Sequence, residues 1–462
     1  MNIKTAALFL IKYGPKKALV RFFEKILYKL HGKNANMLKT SPKMESLTSD
    51  SEKYHRQYQK TLRRLNKKMK KNEKIRVVFL GYGSGGNCDV FSEIYLKFKT
   101  SSYFDPIIVV APYYHDSKDN MAARMNEAGK YLTKLGLQFI NGYNQTENTF
   151  LDVYNSLNPD IVFFDSNYDW NHPFFSIDSY PPDKVLSFYM PYAYFLADNM
   201  EHHFNQKMSN LVYMFFAPSP IEISLLNKYS LINGINICKI FLGYPKTAKL
   251  IHSNKSSITD IWKISDRNVK RIIWAPHHLW AGYSNFLEYK DYMLELIKIY
   301  EGKIQIAFKP HPALYDSLVE VAKWAKQDVE IYYSKWADAY PQAQLVTDNW
   351  IDLFLTSDAM ILDSISFMAE YSLTGKPSCV ITRLSNGQRV MKFNEAGEKL
   401  LQILYNASNI SELTGFIDDI VLGKNDYKKI ERDIFMKENY VGENIHDAAE
   451  NIFNYIKTKI EN

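Results

Sequence analysis

Residues 357–370 read SDAMILDSISFMAE and lead directly from a strand-like run into a helical one. The apolar run Ala359–Leu362 is typical of a strand that is covered on both faces of a parallel sheet. Asp363 and Ser364 follow it and are favoured N-cap residues, so a helix is predicted to begin here. The free N–H groups at such a helix start can bind a phosphate. The stretch therefore predicts an α/β domain with an anion site at the strand ends.

The same alternation of short β-branched or aromatic runs with helical segments continues on both sides, from residue 75 onward. It predicts two groups of parallel strands. The first group is Ile75–Leu80, Ile107–Ala111, Leu137–Ile140, Ile161–Asp165, Val185–Tyr189 and Val212–Phe216. The second is Arg271–Ala275, Ile304–Lys309, Gln344–Thr347, Ala359–Asp363 and Ser378–Thr382. The fold class is thus α/β, with two Rossmann-like, doubly wound domains that face each other across a cleft.

Four segments follow from this division of the 462-residue chain. Residues 1–74 are expected to form a basic helical arm, and residues 75–262 an N-terminal Rossmann-like domain. Residues 263–425 are expected to form a C-terminal Rossmann-like domain with the predicted anion site, and helices are expected over residues 426–462.

Histidines follow two of the predicted strands in the second group. His277 and His278 come after Ala275-Pro276, and His311 comes after Lys309-Pro310. Because parallel strands end at one edge of a sheet, these side chains are expected on the same rim. Imidazoles there can donate to phosphate oxygens or move a proton near neutral pH. His277 and His311 are therefore the candidate catalytic residues, and His278 and Lys309 are candidate substrate ligands.

The helix that begins at Ser364 adds further candidates. The hydroxyl groups of Ser364 and Ser366 can complete a phosphate cradle with the helix N-terminus. Glu370 lies seven residues after Asp363, which is two helical turns, so both face nearly the same way. A carboxylate at Glu370 can bind ribose hydroxyls. The candidate substrate ligands of this segment are Asp363, Ser364, Ser366 and Glu370. The alternative is a capped helix behind a buried strand, with no ligand.

A glycine-rich turn, Gly81-Tyr82-Gly83-Ser84-Gly85-Gly86, follows the first predicted strand. It matches the dinucleotide fingerprint GxGxxG in form, but no acidic residue stands at the position that would bind a ribose of the cofactor. We therefore expect no nicotinamide cofactor and interpret the turn as facing the cleft, with Gly83 and Gly85 as backbone contacts for a substrate. No DxD triplet occurs in the chain, so the site is predicted to hold no metal and to rely on the helix dipole and basic groups instead of a carboxylate-bound ion.

Basic charge is concentrated at the N-terminus. Residues 1–75 carry 16 Lys and 4 Arg against five Asp or Glu, whereas the whole chain has a formal net charge of only +7. This asymmetry argues against a nucleic-acid binder. Apolar residues at helical spacing over Ile3–Leu30, interspersed with Lys and Arg, favour a basic amphipathic helix on an anionic membrane. The alternative is that the apolar stripe packs on the protein itself. The basic run Arg63–Lys74 is either part of that surface or a solvated helix that leads to the first strand.

The spacing of the cysteines and the length of the apolar runs indicate the compartment in which the protein is expected. The three cysteines are far apart and form no metal-ligand spacing, which fits a reducing cytoplasm. No apolar run is long enough to span a bilayer. We expect a protein of the cytoplasmic side, held peripherally on the inner face of the bacterial plasma membrane.

An ordered set of short motifs over residues 180–385 resembles the CDP-glycerol:poly(glycerophosphate) glycerophosphotransferase family, which makes teichoic acids and capsules on a GT-B architecture. The set is Gly243-Tyr244-Pro245-Lys246, Ala275-Pro276-His277-His278, Lys309-Pro310-His311-Pro312, the run from Ser357 to Glu370, and Gly375-Lys376-Pro377. The resemblance implies that His311, Ser366 and Glu370 bind the nucleotide diphosphate. It also implies that Asp363 shapes the loop and that His277 lies near the transferred phosphate.

The resemblance implies transfer of glycerol phosphate, or of a related polyol phosphate, from a CDP-activated donor to a hydroxyl of a lipid-linked or growing surface glycan, with release of CMP. His277 is the candidate general base. Met190-Pro191-Tyr192 stands where the family has a His-Gly element, so the acceptor-side groups stay open among His115, Asp116, His202 and His203. Two alternatives remain: a glycosyltransferase that uses a nucleotide sugar, and a membrane-docked assembly partner without activity.

Overall fold

The computed structural model describes residues 42–82, 85–114, 116–167, 172–199, 203–204, 206–233, 237–252, 258–442 and 447–462. Two parallel sheets form its centre. The strands of the first sheet are β1 (Ile75–Tyr82), β2 (Phe104–Ala111), β3 (Phe139–Asn141), β4 (Ile161–Phe164), β5 (Leu186–Tyr189), β6 (Met214–Phe216) and β7 (Lys239–Ile240). The strands of the second are β8 (Lys270–Ala275), β9 (Ile304–Phe308), β10 (Ala343–Leu345), β11 (Ala359–Leu362), β12 (Ser378–Ile381) and β13 (Tyr405–Ala407).

The two sheets repeat one topology. Their strand orders are β3-β2-β1-β4-β5-β6-β7 and β10-β9-β8-β11-β12-β13, and every pairing within them is parallel. In each, the chain starts in the middle, moves to one edge and then returns to build the other half. This is the doubly wound arrangement that the sequence predicted. Each predicted strand overlaps an observed one, and the short edge strands β7 and β13 were not predicted.

Helices cover both sheets. They are α1 (Pro42–Lys70), α2 (Gly85–Thr100), α3 (Lys118–Lys134), α4 (Val153–Leu157), α5 (Lys207–Leu211), α6 (Pro220–Asn233), α7 (Pro245–His252), α8 (Phe286–Ile299), α9 (Leu314–Glu320), α10 (Lys326–Ser334), α11 (Trp350–Thr356), α12 (Ile365–Ser372), α13 (Glu395–Ile403), α14 (Ile410–Gly415), α15 (Lys429–Met436) and α16 (Ala448–Glu461). Within the described part of the chain, none of them combines the length and apolar character that crossing a bilayer requires.

Stacked aromatic rings fill the space between sheets and helices. Phe79 of β1 stacks on Phe163 of β4 with ring centroids 4.7 Å apart, and Trp274 of β8 stacks on Phe308 of β9 at 5.0 Å. All four side chains are essentially inaccessible to solvent. Offset pairs of this kind add about 0.5–1.5 kcal/mol beyond the burial of their area. These contacts hold the central strands, whose ends carry the candidate site, in a fixed register.

The last helix, α16, returns to the first domain instead of continuing the second. Phe453 contacts Phe98 of α2 edge to face at 5.2 Å, and Lys97 forms ion pairs with both Asp447 and Glu450. Ile452 and Ile456 are fully buried in the same core. The helices expected over residues 426–462 thus include α16, whose apolar face is buried against α2.

Helix α1 likewise packs on the first domain. The Tyr58 hydroxyl donates to the carbonyl of Leu211 at 2.9 Å, and the Thr61 hydroxyl donates to the carbonyl of Pro182 at 2.8 Å. The opposite face carries exposed basic side chains at alternating spacings of three and four residues. They are Lys53, Arg56, Lys60, Arg63, Lys67 and Lys70. The predicted arm is therefore an integral helix over its described part, whereas the predicted amphipathic segment Ile3–Leu30 lies outside the described residues.

Candidate active site

The candidate site lies where the central strands of the second sheet end. Register pairs Trp274 with Phe308 and Ala275 with Leu362, so β8, β9 and β11 stop at the same level. The residues that follow them line a cavity of about 970 Å³, and side chains of the first domain line it as well. That volume is at the upper end of the range for small-molecule sites. The strand ends and the first domain together enclose a space large enough for a nucleotide diphosphate.

Three histidines form one cluster at this edge. The ring centroids of His277 and His278 are 4.1 Å apart, and those of His277 and His311 are 4.6 Å apart. The backbone N–H of Ala313 donates to Nδ1 of His311 at 3.0 Å. A neutral imidazole carries one proton, so that of His311 is on Nε2. The sequence prediction that these side chains share a rim is confirmed, and His311 presents a hydrogen-bond donor.

Burial keeps all three imidazoles neutral. It lowers the pKa of His277 to about 3 and the pKa of His311 well below its usual value, and it also lowers the pKa of His278. Repulsion from neighbouring imidazoles acts in the same direction on His277 and His311. An imidazole with so low a pKa is a weak proton acceptor at neutral pH. In the unliganded protein His277 is therefore better suited to hydrogen bonding than to general-base catalysis.

Asp363 fixes the loop that carries the histidines. One carboxylate oxygen accepts the backbone N–H of His277 and the other accepts that of Asn285, both at 2.5 Å. Burial raises the pKa of Asp363 to about 6, although these donors favour the charged form. Both oxygens accept backbone N–H groups and the side chain is not among the residues that line the cavity, so the observed contacts of Asp363 position the loop, while its predicted contact with a substrate stays a prediction.

Helix α12 presents its N-terminus to the cavity, as predicted. Ser364 is the N-cap residue, makes no capping bond with its side chain, and lines the cavity. The N–H groups of the first turn and the positive end of the helix dipole are thus directed at the same space. Ser366 lies within α12, but its side chain is outside the described residues. Of the predicted anion cradle, the structure therefore describes the Ser364 side chain and the backbone N–H groups of α12.

Glu370 lies on the same helix and is completely buried. Its Oε1 accepts from Nζ of Lys246 at 2.7 Å, and its Oε2 has no hydrogen-bond partner among the described residues. Burial raises the pKa of Glu370, and the charge of Lys246 opposes this shift. A buried carboxylate oxygen without a donor is unfavourable. Since Glu370 also lines the cavity, Oε2 is available to a hydroxyl group of a ligand.

Two buried lysines supply positive charge. Nζ of Lys309 donates to the carbonyl of Thr347 at 2.9 Å, and burial lowers the pKa of Lys309 to about 8. Lys246, at the start of α7, also donates to the carbonyl of Tyr192 at 2.9 Å. Lys246 belongs to a motif of the family resemblance, but its partner on α12 is 124 residues away in sequence. Only the folded chain reveals that pair.

The opposite wall of the cavity is formed by α3 of the first domain. Its side chains Arg124, Lys130 and Lys134 line the cavity. Arg124 forms ion pairs with Asp116 at 2.8 Å and, across the cleft, with Asp316 at 3.4 Å. Sequence reasoning missed this wall because α3 has no motif. The only signal in the sequence was the recurrence of basic residues at positions 124, 130 and 134.

The glycine-rich turn is described only in part, and the substrate contacts of Gly83 and Gly85 stay a prediction. Gly83 lies outside the described residues, and Gly85 begins α2. Gly81 has a packing role, since a Cβ atom there would lie 2.7 Å from Sγ of the buried Cys88. Among the acceptor-side candidates, Asp116 and His203 line the cavity, whereas His115 and His202 are outside the described residues. The ring of His203 stacks on Phe195 at 4.5 Å.

Similarity to known proteins is found at the level of structure. No family model matches the chain, and no curated protein matches it. Solved structures do match. MnaA of S. aureus, in complex with UDP, is 13% identical and has a TM-score of 0.56, with 83% of this chain and 96% of that chain covered. The UDP-GlcNAc 2-epimerase of Neisseria meningitidis, bound to UDP-GlcNAc, is 15% identical with a TM-score of 0.52, and 83% and 100% are covered.

The wall teichoic acid polymerase TagF, soaked with CDPG, is 13% identical with a TM-score of 0.50, and 88% of this chain and 98% of that chain are covered. At such identities the similarity establishes the fold alone. It confirms the prediction of two Rossmann-like domains in a GT-B arrangement.

Proposed function

We propose that this protein transfers glycerol phosphate, or a related polyol phosphate, from a CDP-activated donor to a hydroxyl group of a lipid-linked or growing surface glycan, with release of CMP. One observation carries the proposal. A cluster of neutral imidazoles, the N-terminus of α12 and the buried Lys309 line one cavity together with Glu370, whose Oε2 has no hydrogen-bond partner among the described residues. These groups match a diphosphate joined to a ribose. The similarity of fold to TagF, whose structure was soaked with CDPG, agrees with this assignment.

The diphosphate is assigned to the strand ends of the second sheet. Nε2–H of His311 donates to a phosphate oxygen, and the hydroxyl of Ser364 and the first N–H groups of α12 donate to others. Lys309 balances part of the negative charge. Buried donors that are already oriented stabilise a phosphate strongly, because little reorganisation is needed when charge develops. The site thus has the donors that a transferred phosphoryl group requires.

The nucleoside is assigned to the side of α12 that faces Lys246. Glu370 Oε2 accepts from a ribose hydroxyl there, while Oε1 keeps its ion pair with Lys246. Trp280 lines the same cavity and is 45% exposed, which leaves an aromatic face at the mouth for a base or polyol. Base stacking and a ribose contact provide affinity that is independent of the reacting phosphate.

In the proposed reaction the acceptor oxygen forms a bond to the β-phosphorus of the donor. The bond between that phosphorus and the bridging oxygen breaks, and the bridging oxygen leaves with CMP. The hydroxyl proton passes to a base or to solvent. Positioning in line and stabilisation of the phosphoryl oxygens by His311, Lys309 and α12 lower the barrier. The low pKa of His277 means that it becomes an effective base only after an anionic ligand has raised that pKa.

A second candidate is glycosyl transfer from a nucleotide sugar. It is favoured by the similarity of fold to proteins whose structures contain UDP or UDP-GlcNAc. The two reactions differ in the bond that breaks, because glycosyl transfer cleaves the sugar C–O bond and releases a nucleoside diphosphate. Fold does not decide between them.

Attachment to an anionic membrane is proposed to accompany the reaction. The support is the exposed basic stripe of α1, with six Lys or Arg side chains along one face of a 29-residue helix. Each such charge contributes about 1 kcal/mol of attraction at an anionic surface. A lipid-linked acceptor would then be met at the membrane.

Donor selectivity tests the proposal before any turnover is required. Calorimetric titration with CDP-glycerol, CDP-ribitol and several UDP-sugars is expected to give the tightest binding with a CDP-polyol. Glu370→Gln is expected to weaken it about tenfold, and Glu398→Gln, a surface change outside the cavity, is the matched control. Preference for a UDP-sugar would support glycosyl transfer instead. No binding of any nucleotide would favour the assembly partner and contradict both enzymatic functions.

A further inference from the structure

The histidine cluster has the composition of a metal site as well as of an anion site. One nitrogen atom from each of His277, His278 and His311 lies within 4.8 Å of the other two. The three residues come from the ends of two adjacent strands whose register is fixed by the stacked core. We propose that this triad binds a divalent transition-metal ion through three imidazole nitrogens, with a fourth position open to the cleft. The inference goes beyond the proposed function and replaces one contact in it, because a bound ion, and not Nε2–H of His311, would then hold the phosphate oxygen.

The chemistry of the donor set selects the type of ion. Neutral imidazole is a preferred ligand of Zn²⁺, Co²⁺, Ni²⁺ and Cu²⁺, whereas Mg²⁺ prefers oxygen ligands. Three histidines with one open position are typical of catalytic zinc sites. The prediction of a metal-free site rested on the absence of a DxD triplet, which would supply carboxylate ligands. That absence does not bear on an ion that is bound by imidazoles. A transition metal is the class that these residues can hold.

An unsatisfied atom supports the assignment independently. Nδ1 of His278 is buried and has no hydrogen-bond partner among the residues that the structure describes. Buried polar atoms without a partner are rare in native proteins, and a bound ion can satisfy such an atom. Coordination of a metal ion through Nδ1 of His278 would give this atom a partner. No carboxylate approaches the cluster closely enough to join it as a ligand, so the ligands are imidazoles alone within the described chain.

Binding requires a small closure of the cluster. Tetrahedral zinc has Zn–N distances of about 2.0–2.1 Å, which place the ligand nitrogens about 3.4 Å apart. Ring rotations bring the nitrogens together from their present separations. If His311 binds through Nε2, its proton moves to Nδ1 and the hydrogen bond from Ala313 is lost. One neutral hydrogen bond is weak compared with three metal–nitrogen bonds.

The consequence for the cleft is a localised positive charge. All three histidines line the cavity, so the open position of a bound ion faces an incoming ligand. An anionic oxygen can occupy that position and be polarised there.

Cobalt titration of the untagged, metal-stripped full-length chain tests the inference. We expect one Co²⁺ per chain, with the visible absorption bands of a four-coordinate ion, displacement by Zn²⁺, and no displacement by excess Mg²⁺. His278→Gln and His311→Gln are each expected to weaken binding at least tenfold, whereas His172→Gln, which changes a histidine outside the cluster, leaves binding unchanged. Circular dichroism verifies that each variant is folded.

A second measurement keeps the test decisive if a variant does not fold. Saturating Zn²⁺ is expected to raise the unfolding temperature of the wild-type chain, because a ligand that binds only the native state stabilises it. Absence of saturable one-to-one binding by the wild-type chain would overturn the inference. Equal binding by both cluster variants and the wild type would overturn it as well.

Discussion

Nζ of Lys246 lies 2.7 Å from Oε1 of Glu370, and the two side chains are only 9% and 0% exposed. The lysine belongs to α7, which packs on α2 of the first domain, and the glutamate belongs to α12 of the second. A buried ion pair between domains is costly to break, because the remaining charge has neither water nor a partner. The pair therefore stabilises the packing of the two domains against each other, and it also holds Glu370, the residue that we assign to the ribose.

The first prediction concerns this pair. Lys246→Met leaves the Glu370 carboxylate buried without its cation and is expected to lower the free energy of unfolding by about 3–5 kcal/mol. The double variant Lys246→Met with Glu370→Leu is expected to recover most of that loss, since no charge is left buried. Chemical denaturation measures both.

The double variant also separates stability from binding. We expect it to remain folded but to bind a CDP-polyol more weakly than the wild type. Wild-type affinity in the folded double variant would show that Glu370 does not contact the donor.

The second prediction is a pH dependence of donor affinity. Burial lowers the pKa of Lys309 to about 8, so its charge is present below that pH and lost above it. The donor is anionic, and affinity is therefore expected to fall as pH rises through 8, by up to about tenfold per pH unit. Titrations between pH 7 and pH 9.5 measure this change. Lys309→Met should bind weakly at every pH, and a profile in this variant that still falls near pH 8 would assign the effect to another group.

The strand ends and the short motifs that lie within one stretch of the chain could be predicted from the sequence. The contacts across the cleft could not. Four of the candidate residues follow a strand or lie at a fixed helical spacing, and the structure brings them to one cavity. They are His277, His311, Ser364 and Glu370. The spacing alone could not show that Asp363 is occupied by two backbone N–H groups.

The rest of the site depends on tertiary packing. Glu370 lies 124 residues from Lys246, and Asp316, the partner of Arg124 across the cleft, lies 192 residues from it, and no local pattern encodes such distances. The edge strands β7 and β13 were not predicted, because neither Lys239–Ile240 nor Tyr405–Ala407 contains a continuous apolar run.

The third prediction tests the packing at the glycine-rich turn. A Cβ atom at position 81 would lie 2.7 Å from Sγ of Cys88, and both residues are buried, so neither can move freely. Gly81→Ala is expected to destabilise the protein by about 1–3 kcal/mol. Adding Cys88→Ala removes the sulfur and should restore much of this loss. Gly415→Ala is the matched control, because no atom lies within 4 Å of a Cβ there and the backbone is helical. Equal stability of Gly81→Ala and wild type would contradict a packing role for this turn.

The fourth prediction concerns the basic stripe of α1. Reversal of three charges with Lys60→Glu, Arg63→Glu and Lys67→Glu is expected to abolish most binding to anionic vesicles, since each Lys or Arg contributes about 1 kcal/mol. Co-sedimentation with vesicles at low and high salt measures the effect. The control carries Lys303→Glu, Lys326→Glu and Lys335→Glu, three exposed positions on the second domain. Equal loss in both triple variants would indicate dependence on net charge instead of on α1.

The most direct test of the proposed reaction is the identity of the nucleotide released when the purified protein turns over CDP-glycerol in the presence of a membrane extract. Attack on the β-phosphorus predicts CMP, and His311→Ala, which leaves no hydrogen-bond donor for the phosphate at this position, is expected to lower the rate by about 10²–10³-fold while the protein stays folded. Release of CDP from CDP-glycerol, or turnover only of a UDP-sugar with release of UDP, would contradict the proposed phosphoryl-group transfer.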